Sequence, residues 1–503
     1  MSLADPYQML QDVCDREFGF QPLNFSIKPV HVANGLARAL TQRSYKTDAL
    51  ARTLRRYVVK QSLGVEQERH PNTEILEKYA DAFEPLRGTA PDPQRLSRLR
   101  ALALDVLGAD GAVFDQDDKS SYTLSNERFV TKDPSDRRSG LFLARLVQCE
   151  HGADANDGAA ELLLDLLSSE SDAWTTLALP LLQFGAVREE SSEGDAAERA
   201  AMADHLFTPA DGRLQARTLA VLRESYDRLA RFERVGGSKL NSLRRLVLFG
   251  CFALHVHAIS RWNERNPARP RPPIVLDMFD GTVTSVRDAS RASLRAAGDA
   301  IEFLILDCFK EEVEVVGTSE DELLSALNED GADDTLVKDF QTYLGGEQEP
   351  VDALARALVD GAFAKAREHP IGSLVELGRR AGFLSPWANS GRGGKLQKRY
   401  TATAEFLETL VAATVDPDDP LEFPEFLDRL KNDFGILVGR PEDDPMIRYN
   451  NLSPEQFGPP TSINEEDLRR NVVELRHLLI ETGYAKSYAD GRTIVTTEPE
   501  VLV

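Results

Sequence analysis

The chain has few of the features that mark disulfide-stabilised or zinc-stabilised proteins. It contains only four cysteines among 503 residues, and they stand far apart, at Cys14, Cys149, Cys251 and Cys308. This spacing fits neither a disulfide framework nor a zinc ribbon, so we expect free and mostly buried thiols. The first twenty residues have neither a basic start nor an apolar run. We therefore expect no secretory signal and a cytoplasmic location.

Positive charge is also scarce over the chain as a whole. Lys and Arg number 59 against 82 Asp and Glu, which gives a formal net charge of -23. Such a protein is repelled on average by nucleic acid and by anionic membranes, so any nucleic-acid binding has to use local basic patches. One basic stretch runs from residue 212 to residue 271, with thirteen Lys and Arg against four Asp and Glu.

One stretch within this region, Ser238 to Trp262, is almost wholly apolar from Leu246 to Ile259. It is too short, and carries too much His and Arg, to cross a bilayer, which needs roughly 20 apolar residues. A helix that is apolar on every side is a buried helix. The stretch therefore predicts the central core helix of a protein without a membrane partner.

Apolar spacing near 3.6 residues recurs along the rest of the chain, interrupted by short hairpin signals. The sequence predicts a mainly α, multidomain helical protein with small β-hairpins in its C-terminal part. The predicted divisions are an N-terminal helical domain with a small hairpin (1–187), a charged linker (188–206), a central helical domain around the buried helix 238–262 (207–348) and two C-terminal modules (349–440 and 441–503).

The two C-terminal modules share an order of helix, glycine, aromatic residue and hairpin. It occurs at 375–400 and again at 473–497, where Asp490-Gly491 is a strong hairpin turn and Asn464 caps the preceding helix. This order resembles the closing half of a winged-helix module, in which the hairpin after the third helix is the wing. The resemblance implies binding to duplex DNA by that helix and by the wing.

Basic residues match both elements of the first module. Between residues 379 and 400 there are six basic residues and no acidic one: Arg379, Arg380, Arg392, Lys395, Lys398 and Arg399. Five match in the second module, Arg469, Arg470, Arg476, Lys486 and Arg492, but acidic neighbours dilute them. A solvated hairpin without a ligand is the alternative for the first module, and protein docking is the alternative for the second.

A second candidate surface lies on the helix that Thr208 and Pro209 begin. On a helical wheel its arginines fall on one side and Leu222 and Leu229 on the other. The candidate phosphate-binding residues on this side include Arg213, Arg217, Arg228 and Arg231. A solvated surface explains the same pattern.

Catalytic signatures are weak. Asp277 and Asp280 resemble the nucleophile loop of haloacid dehalogenases, but they are three residues apart where that family has two. His255 and His257 point some 200° apart on a helix and cannot share a metal, so we expect core histidines. Asp117 and Lys119 have the spacing of a metal-dependent nuclease, with Asp105 or Asp115 as a further carboxylate.

The sequence therefore predicts a non-enzymatic, DNA-associated or scaffolding subunit of a larger complex, with no cofactor or metal and with double-stranded DNA and other proteins as partners. The chain is helical and acidic, with winged-helix-like units near its C-terminus and no catalytic signature. In these features it is similar to accessory proteins of prokaryotic anti-phage defence operons. Two alternatives stay open. One is a metal-dependent nuclease or another unrecognised enzyme, and the other is a protein-protein adaptor that does not bind DNA.

Overall fold

A computed structural model describes most of the chain outside residues 47–125. The described residues are 3–23, 27–42, 44–46, 126–131, 134–148, 158–169, 188–190, 204–207, 217–235, 238–269, 271–346, 348–366, 369–385, 398–439 and 464–497. Cys149 and the nuclease candidates Asp105, Asp115, Asp117 and Lys119 lie outside them. So does the small N-terminal hairpin predicted between residues 112 and 132, except for residues 126–131, where Glu127–Phe129 form a 3-10 turn.

Helices make up most of the described structure, which confirms the predicted mainly α class. The helices are α1 (Pro6–Glu17), α2 (Pro29–Thr41), α3 (Ser139–Gln148), α4 (Ala159–Ser168), α5 (Asp204–Phe207), α6 (Arg217–Arg234), α7 (Lys239–Arg265), α8 (Thr284–Val316), α9 (Glu320–Asp330), α10 (Asp334–Gly345), α11 (Pro350–Ala366), α12 (Pro370–Ala381), α13 (Ala404–Thr414), α14 (Phe423–Arg429) and α15 (Glu465–Glu481). The strands are β1 (Ser44–Lys46), β2 (Arg188–Glu190), β3 (Ile274–Val275), β4 (Leu421–Glu422), β5 (Ile436–Leu437), β6 (Ala485–Ser487) and β7 (Thr493–Val495).

The chain divides into two compact units. The smaller unit comprises Lys28–Ala201 and Tyr226–Cys251, and the larger unit comprises Met1–Ile27, Met202–Ser225 and Phe252–Val503. Helices α6 and α7 each contribute residues to both units. The five divisions expected from the sequence stay predictions; within 188–206, the described residues form β2 and the start of α5.

The smaller unit is held by close helix contacts and buried polar groups. Helices α2 and α3 approach closely at two glycines, because a Cβ placed on Gly140 would lie 2.2 Å from the backbone carbon of Gly35. The buried Asn34 amide donates to the carbonyl of Thr131 at 2.8 Å and accepts from its N–H at 2.9 Å. In the same unit, Tyr226 packs edge-on against Phe249 with ring centroids 4.8 Å apart.

Helix α7 is the core helix that the sequence predicts. Most of its apolar stretch is buried, and its side chains are apolar all round, as expected for a helix enclosed by other elements. In the larger unit, Phe252 meets the rings of Phe383, Phe406 and Phe434 at centroid distances of 5.2 to 5.5 Å. This aromatic cluster, with its edge-on contacts, joins α7 to the C-terminal elements.

Both histidines of α7 are completely buried, as expected. His255 bonds to the Tyr400 hydroxyl at 2.8 Å, and His257 bonds through Nε2 to the carbonyl of Phe18 at 3.1 Å. Both partners are distant in sequence. Cys14, Cys251 and Cys308 are buried free thiols, which confirms that prediction for the described cysteines.

Two small sheets complete the larger unit. Strand β3 pairs in parallel with β5, placing Ile274 opposite Ile436. The other sheet has the antiparallel order β4-β7-β6, with Leu421 and Ala485 both opposite Val495. Strand β4 lies before residue 440 and β7 after it, so this sheet joins segments that the sequence assigns to two modules.

Candidate nucleic-acid interface

The first hairpin, residues 384–400, is described at its base. Helix α12 ends at Gly382, whose φ of +87° suits glycine, and Leu384 then forms an antiparallel bridge with Tyr400. The N–H of Ser385 donates to the Arg399 carbonyl at 2.9 Å, so the two ends pair as predicted. Residues 386–397, with the candidates Arg392 and Lys395, lie outside the described residues.

Arg399 is bound within the protein. Its Nε donates to the Asp277 carboxylate at 2.7 Å, and its Nη2 donates to Asp280. The Asp277 side chain is fully buried and that of Arg399 is 12% exposed. A buried carboxylate needs such a cation, because an unpaired charge in a protein interior is very costly. The Arg399 guanidinium, which the sequence predicts to bind phosphate, is therefore bound by carboxylates of the protein itself.

The neighbouring Tyr400 fixes the base of the hairpin in the core. Its N–H donates to Ser290 Oγ at 2.8 Å, and its carbonyl accepts from the Asp277 N–H at 3.0 Å. Its hydroxyl meets His255 Nε2. Burial lowers the pKa of His255 to about 3, so this imidazole is neutral and its pair with the hydroxyl is an uncharged hydrogen bond.

Lys398 is also turned inward, with 2% of its surface exposed. Its ammonium lies 3.4 Å from the Ser385 carbonyl, and burial, with the positive charge of Arg379, lowers its pKa to about 8. Buried lysines commonly show such a lowered pKa. Phosphate contact by Lys398 stays a prediction, and it requires the side chain to leave this position.

Arg379 and Arg380, at the end of α12, bind one carboxylate. Arg379 Nε donates to Glu376 at 3.0 Å, and Arg380 Nε donates to the same group at 3.2 Å. Partial burial opposes ionisation of Glu376, yet the two guanidinium groups hold its pKa below the usual value. Half of the local positive charge is thereby neutralised, although both arginines remain partly exposed.

The arginine side of α6 is less uniform than the helical wheel predicts. Arg217 and Arg231 are exposed, but Arg228 is buried, with 7% of its surface accessible. Arg213 lies outside the described residues. Arg234 at the end of the helix pairs with Glu161 of α4 at 3.2 Å. Binding of DNA by these side chains stays a prediction.

Helix α15 is anchored to the loop that follows β3, residues 276–281. The buried Asn471 amide donates to the carbonyls of Leu276 at 2.8 Å and Val438 at 2.6 Å, and its oxygen accepts from the N–H of Met278 at 2.9 Å. On the next turn towards the N-terminus, Asp467 accepts from Ser285. This side of α15 is therefore fixed, and its opposite side faces solvent.

The exposed side of α15 carries the basic residues of the second module. The side chains of Arg469 and Arg470 are 60% and 57% exposed, and their ion pairs are made to acidic residues of the same helix. The guanidinium of Arg470 also lies 5.5 Å from the ring centre of Phe279. The 276–281 loop thus contacts both Arg399 of the first hairpin and Arg470 of α15.

The second hairpin follows α15 through Gly483, whose φ is +83°. Strands β6 and β7 pair from Ala485–Val495 to Ser487–Thr493, and the Asp490-Gly491 turn lies between them, as predicted. Arg492 beside the turn is 65% exposed and binds Asp490 at 2.7 Å. Three apolar side chains, Val473, Ile480 and Tyr488, are also exposed on α15 and this hairpin, at 40%, 37% and 53%.

Asn471 was not singled out from the sequence, nor was the pairing of Asp277 with Arg399. One signal was present: Asp277 follows the apolar Ile274, Val275 and Leu276, and a carboxylate in such a setting requires a cation. The sequence did not indicate which arginine supplies it.

No metal-binding cluster of three or more His, Cys, Asp or Glu occurs among the described residues. The expectation that the apolar stretch is too short to cross a bilayer was wrong for the helix that contains it. In the described part of the chain, α7 has 27 residues and is long and apolar enough to cross a membrane, although 89% of its most apolar window is buried in the protein. Comparison of the chain with protein-family models, curated proteins and solved structures found no match.

Proposed function

We propose that this chain is a non-enzymatic, DNA-associated subunit of a larger assembly, and that residues 404–497 form its DNA-binding part. The observation that carries the proposal is the order of elements in that segment. Among the described residues of that segment, α13 and α14 precede α15, the β6-β7 hairpin follows α15, and β4 joins the hairpin to complete a sheet. A helix followed directly by a hairpin resembles the closing half of a winged-helix module.

Exposed charge supports the same surface. Arg469 and Arg470 lie on α15 and Arg492 lies beside the turn of the hairpin, where the resemblance implies DNA contact. Each exposed arginine is free to exchange a weak surface ion pair for a phosphate, since such pairs contribute little. The acidic remainder of the chain would limit non-specific binding.

A test is the fluorescence anisotropy of a labelled 30-base-pair duplex at several salt concentrations. We expect the triple variant R469A/R470A/R492A to lower the magnitude of the log-log salt slope by about 2 to 3. The control K310A/K338A/K365A removes the same charge from α8, α10 and α11 and should leave the slope unchanged. Equal slopes for the parent and the triple variant would exclude this surface, and no binding by the parent would reject the DNA proposal.

A protein-docking adaptor is the second candidate, and the exposed Val473, Ile480 and Tyr488 favour it. Apolar side chains next to charged ones on a solvent-facing surface are common at protein interfaces. In this case the parent would bind no duplex at low salt, whereas V473S/I480S would release a co-purifying protein that R469A/R470A/R492A retains. The proposed anti-phage setting rests on general resemblance alone. The nuclease hypothesis stays open.

A further inference from the structure

The larger unit contains an arginine whose principal binding edge is buried and unoccupied. Arg271 precedes β3, and its Nε and Nη2 atoms are both inaccessible to solvent and lack a hydrogen-bond partner. Its third guanidinium nitrogen, Nη1, makes a long contact of 3.4 Å with the Asp433 carbonyl. Among the described residues, Arg271 forms no ion pair of the kind that binds Arg399.

The positions of these two nitrogens on the guanidinium suit one kind of ligand. Nε and Nη2 lie on the same edge of the planar guanidinium, and their N–H bonds point in the same direction. Two parallel donors of this kind match the two oxygens of a carboxylate or phosphate group. A contact of Nη1 alone, at 3.4 Å, leaves that fork available.

Arg271 is charged, but its Nε and Nη2 have no hydrogen-bond acceptor. Glu264 and Asp433 supply negative charge nearby and Arg217 supplies positive charge, while burial lowers the pKa of Arg271 to about 10. The side chain is therefore a cation at neutral pH. The Glu264 carboxylate is already bound by the Thr218 N–H at 3.2 Å and by Arg261 at 3.1 Å. A buried, unpaired guanidinium is unfavourable, and an anion would relieve it.

Gly435 packs closely against this group. A Cβ placed on Gly435 would lie 3.3 Å from Arg271 Nε and 3.4 Å from its Cζ, closer than most side chains tolerate. Gly435 also has a φ of +73°, which suits glycine at the end of the π-helical turn Leu430–Phe434. Arg271 as a whole keeps part of its surface in solvent, although its Nε and Nη2 atoms do not.

We propose that the Nε and Nη2 edge of Arg271 binds the carboxylate or phosphate group of a small soluble molecule. The site is distinct from the proposed DNA-binding surface of α15 and the second hairpin. Its chemistry is recognition of a two-oxygen anion by a planar, bidentate donor. A single point charge such as an ammonium would not reproduce that geometry.

Isothermal titration calorimetry of the full chain with inorganic phosphate and with acetate, at matched ionic strength, tests the proposal. We expect one saturable site per chain for at least one of the two anions, and the preferred anion identifies the group recognised. R271K keeps the charge but loses the fork, so we expect at least a tenfold weaker affinity. R287K, at a solvent-exposed ion pair with Asp288, is the matched control and should bind as the parent does.

The proposal fails if the parent binds neither anion saturably, or if R271K binds as tightly as the parent. If R271K does not fold, as judged by circular dichroism, calorimetry of the parent protein alone tests the proposal.

A second experiment uses phenylglyoxal, which modifies arginine, and mass spectrometry to locate the product. We expect the preferred anion to slow modification of Arg271 at least fivefold while leaving Arg287 unaffected. An unchanged rate at Arg271 would overturn the proposal.

Discussion

Arg399 binds Asp277 across 122 residues of sequence, with Nε 2.7 Å from Oδ2, and the carboxylate has no exposed surface. This pair fastens the base of the first hairpin to the 276–281 loop. The same loop holds α15 through Asn471. The two elements with predicted DNA contacts therefore share one support.

Replacing Arg399 with methionine should lower the free energy of unfolding by about 3 to 5 kcal/mol, because it leaves a buried carboxylate without a cation. R399M/D277N should be less destabilised than the sum of the two single variants, since the second change removes the unpaired charge. Urea unfolding of the four proteins measures the coupling. R469A, which breaks only exposed pairs, should change stability by less than about 1 kcal/mol. Additive effects for R399M and D277N would show that the pair is not coupled.

Asn471→Asp should be strongly destabilising although the two side chains have nearly the same size. The aspartate keeps an acceptor for the Met278 N–H but loses both donors, and it places negative charge against the Leu276 and Val438 carbonyls. We expect a loss of about 3 kcal/mol or more in urea unfolding at neutral pH. The same change at the exposed cap, N464D, preserves an acceptor and should be nearly neutral. Similar values for the two variants would contradict the anchoring role of Asn471.

His257 should make stability fall as the pH is lowered from about 6.5. Burial, with the positive charge of Arg261, lowers its pKa to about 3 in the folded protein, and His255 behaves alike. Between about pH 6.5 and 3 the unfolded state therefore binds more protons, so acid favours unfolding, with a slope that reaches about 1.4 kcal/mol per pH unit for each histidine in the middle of this range.

The variant H257Q keeps a donor for the Phe18 carbonyl and cannot titrate. We expect its unfolding free energy, measured from pH 6.5 to pH 5, to have an average slope smaller than that of the parent by about 1.1 kcal/mol per pH unit. Asp299 acts in the opposite sense between about pH 4 and 6, because burial raises its pKa to about 6. It is common to both proteins and cancels in the comparison. Identical slopes would mean that His257 gains a proton in the folded state.

The tip and the base of the first hairpin should differ in their effect on DNA binding. Lys398 is buried, so K398M should leave the salt slope of duplex binding unchanged within about 0.3. R392A/K395A at the tip should reduce its magnitude by about 1.8 if both side chains contact phosphates, at about 0.9 per contact. Anisotropy with the same 30-base-pair duplex measures both. A reduced slope for K398M would show that this lysine turns outward to meet DNA.

Local sequence rules predicted the elements that depend on neighbouring residues. The apolar run of α7, the Asn464 cap and the Asp490-Gly491 turn each occur as expected, because periodicity, capping and turn chemistry are decided within a few residues. The helical wheel of α6 was less successful for Arg228, since burial depends on which elements surround the whole helix.

Long-range partners were beyond the same reasoning. Nothing near Arg399 indicates that Asp277 will bind it, and nothing near Leu421 indicates that β4 will pair with β7. The exposed basic residues of the candidate site therefore differ from those that the sequence predicts. Composition predicts Lys398 and Arg399 as surface cations, whereas the exposed cations of the described C-terminal part include Arg469, Arg470 and Arg492, whose acidic neighbours weaken the signal in the sequence.

The parallel pairing of Ile274 with Ile436 has a consequence during synthesis. Strand β3 leaves the ribosome long before β5, and at about 5 to 20 residues per second the wait is roughly 8 to 30 seconds. Helix α8, which begins nine residues after β3, has time to form in that interval, whereas the β3-β5 ladder cannot. The nascent chain must therefore shield Ile274 and Val275 with other apolar groups until their partner strand emerges.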